Sequence, residues 1–443
     1  MSHKRDQIEI SVNKVLLSLL IFIILNNCST NKKLGFFGKD NKKEAPIVNN
    51  KTILTKQTRL EQEFNANLYI KISSEKLNQN SLNNQNDSGE LAYEGALQRI
   101  GKYKFSKFND FDFISPNPLF YNKDLIFYDN KGTIIFYDEN QKIVWKNNFY
   151  NKSEKKINPR LNFAIKNNTL IVTDNVAKYY AINIDTGELL WTKTNIVPFN
   201  SNIKIKDDVF YVVDYKNILR SISTQDGSEV WSLKTEESLT KSNTKISIAL
   251  DEKNIYFNNS IGDITAVNIK SGQLIWQLPT QNNNISQNAF QLSNSELVIN
   301  ENTIFFSNNK NEFYSIDTAS GLINWKTEIS SDLKPVVIGK LLITVSEKGY
   351  LYVADKKTGN IIRINDLFIN YKKIKRGQTK PTGFFVGMNK IYLTNDDGKL
   401  IIINGNEGSI LETIKISSGK ISKPFINENK LFLISNGSII KFN

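Results

Sequence analysis

From about residue 119 onward, short apolar runs alternate with short polar interruptions. Asp124-Leu-Ile-Phe-Tyr128, Thr169-Leu-Ile-Val-Thr173, Val209-Phe-Tyr-Val-Val213, Asn254-Ile-Tyr-Phe257, Thr303-Ile-Phe-Phe306, Leu341-Leu-Ile-Thr344 and Lys390-Ile-Tyr-Leu393 are all β-branched or aromatic. A polar turn follows each one, and then a second alternating run such as Tyr179-Tyr-Ala-Ile-Asn183 or Ile264-Thr-Ala-Val-Asn268. Runs of this length and composition, bounded by turn residues, predict antiparallel strands joined as hairpins and leave little room for helices.

The strand pairs belong to a repeat whose clearest mark is tryptophan. Trp145, Trp191, Trp231, Trp276 and Trp325 close similar phrases, among them Asp185-Thr-Gly-Glu-Leu-Leu-Trp191, Lys270-Ser-Gly-Gln-Leu-Ile-Trp276 and Ala319-Ser-Gly-Leu-Ile-Asn-Trp325. Two further copies keep the frame and put Arg363 and Glu412 where tryptophan stood, and the intervals run from 38 to 49 residues. Self-similarity at this period signals a repeat architecture. The glycine four residues before the tryptophan supplies a positive φ in a tight turn, and Asp185, Ser271 or Thr358 beside it are placed to bond the turn backbone. With one more strand at the start of each copy, the unit is a four-stranded antiparallel blade. The tryptophan sits on its outermost strand, where the ring covers the apolar face between neighbours. The expected fold is therefore all-β, an eight-bladed β-propeller occupying residues 101–443. Residues 421–426, 431–435 and 438–442 supply only three strands of the last blade, and the alternating segment Gly101 to Phe108 is expected to be its outer strand, removing an exposed edge.

The first hundred residues lack this pattern. Lys4, Arg5 and Lys14 precede the apolar run Val15 to Leu25, which is followed by Asn26, Asn27 and Cys28. Eleven residues cover about half of a ~30 Å hydrocarbon core, so a signal peptide over residues 1–27 is expected rather than a spanning helix. Residues 28–100 are expected to be a tether containing a low-complexity stretch, because Leu77 to Ser88 is rich in Asn and Gln and offers too little apolar area to offset ordering.

Composition narrows the chemistry. Of 443 residues, the single histidine is His3 and the single cysteine Cys28, so the propeller has no imidazole and no thiol. Zinc sites of the Cys/His kind, Ser-His-Asp triads, Cys-His nucleophiles and disulfide frameworks are excluded, and neither a catalytic residue nor a metal or cofactor is expected. The excess of 57 Lys and Arg over 44 Asp and Glu gives a net charge of +13. It is spread along the chain without a dense basic helix or an aromatic-interleaved basic stripe, and no nucleic-acid partner is expected.

The frame Asp317-Thr-Ala-Ser-Gly-Leu-Ile-Asn-Trp325 resembles the repeat of quinoprotein-type (PQQ-like) eight-bladed propellers, and tryptophan is never followed by Asp as in WD40 repeats. One branch of that superfamily comprises quinone- and calcium-dependent dehydrogenases. The other comprises the BamB-type lipoproteins of the outer-membrane β-barrel assembly machinery, which are scaffolds. Basic segment, short apolar segment and sole cysteine likewise resemble a bacterial lipoprotein signal, with Leu25 in the usual place and Asn27 departing from the small residue normally found there. An uncleaved anchor or a buried cysteine is the alternative. The resemblance to the scaffold branch implies lipidation at Cys28, an outer-membrane location facing the periplasm, for which Ser29 after the cysteine is suited, and a barrel-assembly subunit as partner. It further implies that the partner surface lies on the connections leaving the third and fourth blades, at Leu239 and Lys241 and at Asn294 and Glu296. The dehydrogenase and an unrelated periplasmic binding propeller are the other readings, and Lys372 to Arg376 is a further surface candidate.

Overall fold

The computed structural model describes residues 61–82, 86, 89–236, 244–280 and 292–443. It contains eight four-stranded antiparallel sheets, of which seven are built from consecutive strands: residues 119–147, 161–194, 204–234, 248–278, 298–327, 336–366 and 381–415, numbered here as blades 1 to 7. In blade 8 the strands Phe425–Asn427, Lys430–Ser435 and Ser438–Phe442 are joined at their outer edge by Arg99–Lys104, with Lys102 opposite Ile440 and Tyr103 opposite Ile439. The ring thus closes with an N-terminal strand, as the unpaired edge required. The paired strand ends at Lys104, and Phe105 and Phe108 pack into the core shared with blade 1.

The core lies between blades rather than within them. Ala249, Tyr256 and Ile264 of blade 4 pack with Ile304, Phe306 and Tyr314 of blade 5, and other blade pairs repeat the pattern. Each sheet is apolar on both faces, so its two middle strands read as nearly continuous hydrophobic runs.

Tryptophan locks the five seams from blade 1 to blade 6. The indole N–H of Trp145 donates to the Ile184 carbonyl at 2.7 Å, that of Trp191 to Thr224 at 3.1 Å, that of Trp276 to Thr318 at 3.0 Å and that of Trp325 to Lys356 at 3.0 Å, each carbonyl lying in the next blade's turn. The ring lies flat on that turn's glycine. Gly272 has φ +71°, and a Cβ there would stand 2.6 Å from the Trp231 ring, so both the backbone conformation and the seam demand glycine. Beside the glycine, Ser271 accepts from the Gln273 amide and Thr358 from the Asn360 amide, as the turn chemistry led one to expect. Asp185 does not: it accepts from Asn168, and the turn is held by Asn183, whose carboxamide oxygen accepts from the amides of residues 185 and 186.

At the seam between blades 6 and 7 the tryptophan's two tasks are divided. Arg363, fully buried, donates to the carbonyls of Gly405 (2.9 Å) and Asn406, while Asn365 fills the space over Gly408. The guanidinium nitrogen that serves Asn406 also reaches the Leu68 carbonyl at 2.9 Å. This contact belongs to a segment whose behaviour differs from the tether expectation. Phe64 pairs with Ile364 at the outer edge of blade 6, and Ile70 donates to Asn406. Leu91 pairs against Val386, and Tyr93, fully buried, packs edge-on to Phe385 and Tyr392 and donates to the Asn443 carbonyl at 2.9 Å. The described residues from 61 onward in the stretch expected to be tether are thus part of the folded body. The physical reason is that a sheet edge offers backbone donors and acceptors that a polar segment with a few well-spaced apolar residues can satisfy. The expected signal peptide and Cys28 lie outside the described residues.

Candidate binding face and central channel

In a blade of four antiparallel strands the chain enters at the centre and leaves at the rim. Every connection from an outer strand to the next inner strand therefore emerges on one side of the ring. That side carries several exposed large apolar side chains: Phe113 before blade 1, Ile157 between blades 1 and 2, Ile196 between blades 2 and 3, and Ile369 and Ile374 between blades 6 and 7. Phe113 is 88% and Ile196 90% exposed. Exposed apolar side chains sharing one loop face of a rigid scaffold are characteristic of surfaces that receive another protein.

The residues expected at the partner surface are distributed as follows. Leu239 and Lys241 lie outside the described residues. Asn294 is buried and bridges to Asn308. Glu296 stands two residues before the inner strand Val298–Asn300 and is turned toward the ring axis, where its carboxylate meets the Lys423 ammonium of blade 8 at 2.8 Å. Lys373–Gln378, within the basic run, form a short helix; Arg376 folds back onto Asp366 at 2.6 Å and over the Tyr350 ring, leaving Lys372 and Lys373 exposed.

Glu296 marks a feature of the channel that went unread in the sequence. Lys334 and Lys423 occupy the corresponding position in blades 6 and 8, each two residues ahead of its inner strand and each followed by proline. The repeated Lys-Pro at one place in the repeat was the available signal. Lys204, on the inner strand of blade 3, and Lys245, just before that of blade 4, complete the group. The Lys245 ammonium donates to the Asn162 carboxamide oxygen of blade 2 at 2.6 Å. The lysines, Lys423 first and then Lys334 and Lys204, hold the Glu296 carboxyl down at about 2 against the burial that opposes it. Enclosure by the ring, reinforced by Lys334 in one case and Lys423 in the other, pushes the ammonium groups of Lys204 and Lys245 down to about 8. Glu296 nonetheless keeps 38% of its side-chain surface open. Since its ionic partners come from three other blades, that surface faces channel water rather than the outer rim. Among the described residues no group of three or more His, Cys, Asp or Glu could hold a metal ion.

Eight blades with a tryptophan on each seam that retains the full frame, an interblade core and a polar axial channel define an eight-bladed propeller of the quinoprotein-like class. Its fold matches the crystal structure of BamB from Moraxella catarrhalis with a TM-score of 0.62, at 16% identity, over 79% of this chain and 100% of that one. It also matches a europium-containing methanol dehydrogenase with a TM-score of 0.58, at 11% identity, over 78% of this chain and 86% of that one. In sequence, the outer membrane protein assembly factor BamB of Shewanella oneidensis is 25% identical over 261 residues, 57% of this chain and 63% of that relative's length. Residues 130–365 match the family model described as outer membrane protein assembly factor BamB, and the chain belongs to that family.

Proposed function

We propose that this chain is a non-enzymatic scaffold subunit of the machinery that assembles β-barrel proteins in the outer membrane, anchored by lipid at Cys28 and facing the periplasm. The observation that carries this reading is membership of the assembly-factor family across more than half of the chain. The exposed apolar side chains on the connection face agree with a role in which a rigid ring presents loops to a protein partner. The connection leaving blade 3 is the proposed contact, with Leu239 as apolar anchor and Lys241 as flanking charge. Asn294 and Glu296 form the base of the adjoining connection, the first by burial and the second through Lys423.

The test is capture of the barrel-assembly subunits from detergent-solubilised membranes by the lipidated protein. Leu239→Asp combined with Lys241→Glu should weaken capture by at least ~2 kcal/mol, the scale of an interface hot spot, while leaving the melting temperature within a degree or two. Cys28→Ser should shed the protein from the membrane fraction, because anchoring there depends on acyl chains. Undiminished capture by the folded double variant would move the contact to another part of the face. A failure of the wild-type protein to capture any assembly subunit would refute the scaffold reading.

A further inference from the structure

The connection between blades 6 and 7 differs from the others on its face. It carries two bare isoleucines, Ile369 at 61% and Ile374 at 79% exposure, together with Lys372, Lys373, Lys375 and Arg376, and no acid interrupts residues 369–380. The short helix Lys373–Gln378 is held from its inner side. Arg376 pairs with Asp366 at 2.6 Å and lies over the Tyr350 ring, Tyr371 packs against Phe368, and the buried Thr379 hydroxyl donates to the Lys375 carbonyl at 2.9 Å. Lys375 stands 3.7 Å from buried Asp397. Lys372, Lys373 and Ile374 take no part in these contacts and remain exposed, and Ile374 belongs to none of the hydrophobic cores among the described residues.

The N-terminal segment meets the ring at the same corner. The Glu61 carboxylate accepts from the Tyr352 hydroxyl at 2.9 Å and stands 3.5 Å from Lys348, which lies in the hairpin between Leu341–Val345 and Tyr350–Asp355 on the connection face. From there the segment follows the outer strand of blade 6. Glu63 accepts from the Asp366 amide, Phe64 pairs with Ile364, and Ile70 bonds Asn406 in a turn on the opposite face. Whatever is attached upstream of Glu61 is therefore joined to the ring on the connection face, close to the helix. Asp366, Asp397 and Glu61 each stand against a basic side chain, so the exposed part of the helix is uniformly positive.

We propose that this corner rests on the headgroup layer of an anionic phospholipid membrane, with Ile369 and Ile374 entering the interface and Lys372, Lys373 and Lys375 meeting lipid phosphates. The proposal builds on the lipid anchor read at Cys28. Apolar side chains flanked by lysine suit such a boundary, because the apolar part leaves water while the long stems keep their ammonium groups among the phosphates. Cys28 is 33 residues upstream of Glu61, so an acyl chain there holds the corner within about 115 Å of the bilayer even at full chain extension. That confinement makes a second, individually weak contact effective. Among the connections, this one adjoins the anchored end of the chain, which favours the bilayer over a further protein as its occupant.

Flotation with vesicles tests the contact apart from the anchor, using residues 28–443 with Cys28→Ser, a chain that bears no acyl group and keeps every described residue. Vesicles of phosphatidylethanolamine and phosphatidylglycerol should carry the protein up the gradient, and vesicles of phosphatidylcholine should not. Lys372→Gln with Lys373→Gln should weaken partitioning at least tenfold, and Ile374→Ser several-fold with no change in charge. Lys340→Gln with Lys357→Gln removes the same charge from exposed turns on the opposite face and should partition as the wild type. All of these side chains are exposed, so melting temperatures should coincide. In Ile374→Trp, brominated acyl chains should quench the introduced indole. Equal binding to both kinds of vesicle, equal losses in the two lysine pairs, or an unquenched indole would overturn the proposal. Unchanged flotation of the helix variants, combined with lost capture of the assembly subunits, would assign the corner to a protein and overturn it too. Acylation of Cys28 is read separately, from fractionation of cells, so failure of the anchor and failure of this contact appear in different measurements.

Discussion

Lys423 and Glu296, three blades apart around the ring, meet at 2.8 Å across its axis. Eight-bladed rings are held mainly by contacts between neighbours, and this pair instead joins two blades that share no seam.

Acid should expose that pair. The Glu296 carboxyl is held at about 2 rather than its ordinary 4.5, so the unfolded chain takes up its proton first as pH falls. The stability it contributes is complete above pH 4.5 and is lost between 4.5 and about 2. In Glu296→Gln this part of the acid limb should be flattened. Urea midpoints taken from pH 6 down to pH 2 for both proteins measure the difference, and parallel curves would show that the pair has no influence on folding.

Arg363 holds a seam and the N-terminal segment together. Arg363→Leu removes the guanidinium donors from the carbonyls of Leu68 and Gly405 and leaves Asn406 with the Ile70 amide alone, and should cost about 3 kcal/mol. Arg363→Trp restores the residue type of the other seams, whose single N–H serves one carbonyl. It should recover part of the stability yet leave residues 61–70 open to cleavage. Thermal melting and limited proteolysis together separate the two roles.

The Gly272 turn admits no side chain. Gly272→Ala places a methyl group against Trp231 at a positive φ and should destabilise by about 2 kcal/mol or more. Gly419, with open space around its missing Cβ, is the control, and its alanine variant should stay within about 0.5 kcal/mol of the wild type. Equal melting temperatures for the two variants would mean that the seam can shift to make room.

Tyr93 decides whether residues 61–95 are body or leash. Tyr93→Ala empties a site between Phe385 and Tyr392 and removes a bond to Asn443, and should cost about 3–4 kcal/mol. A chain beginning at residue 96 should melt well below one beginning at residue 61. Coincident melting curves would return this stretch to the status of a leash.

The blades were legible because every cue agreed: strand-length runs, a glycine turn and a tryptophan at a fixed offset report the same local geometry in each copy. Ring closure was legible from arithmetic, since three strands at one end needed a fourth from the other. Two parts of the picture resisted. The Asn-rich composition of residues 77–88 offers little to fold on alone; its described residues Asn80 and Ser81 are held by Asn427 and Ile426, 347 and 345 positions away, which no local composition encodes. Of the channel lysines, Lys334 and Lys423 share a Lys-Pro pair at one place in the repeat, whereas Lys204 and Lys245 are indistinguishable from solvated surface lysines until the ring brings them together. Glu296 was noticed for its place in a loop, and its direction was set by Lys423, 127 residues further on.

Closure by the two termini also imposes an order in time. Arg99–Lys104 are synthesised before any complete blade, and their partner strand Ser438–Phe442 is the ring's last in chain order, with Gln98 and Asn443 bonding to each other 345 residues apart. Bringing such distant segments together carries a loop-closure cost that no intermediate length of chain can begin to recover. The first strand must wait, unpaired, while seven blades form behind it, and the ring becomes a ring only when Ser438–Phe442 arrives. A chain halted before Ser438 would keep nearly all of its blades and still lack the joint that makes them one object.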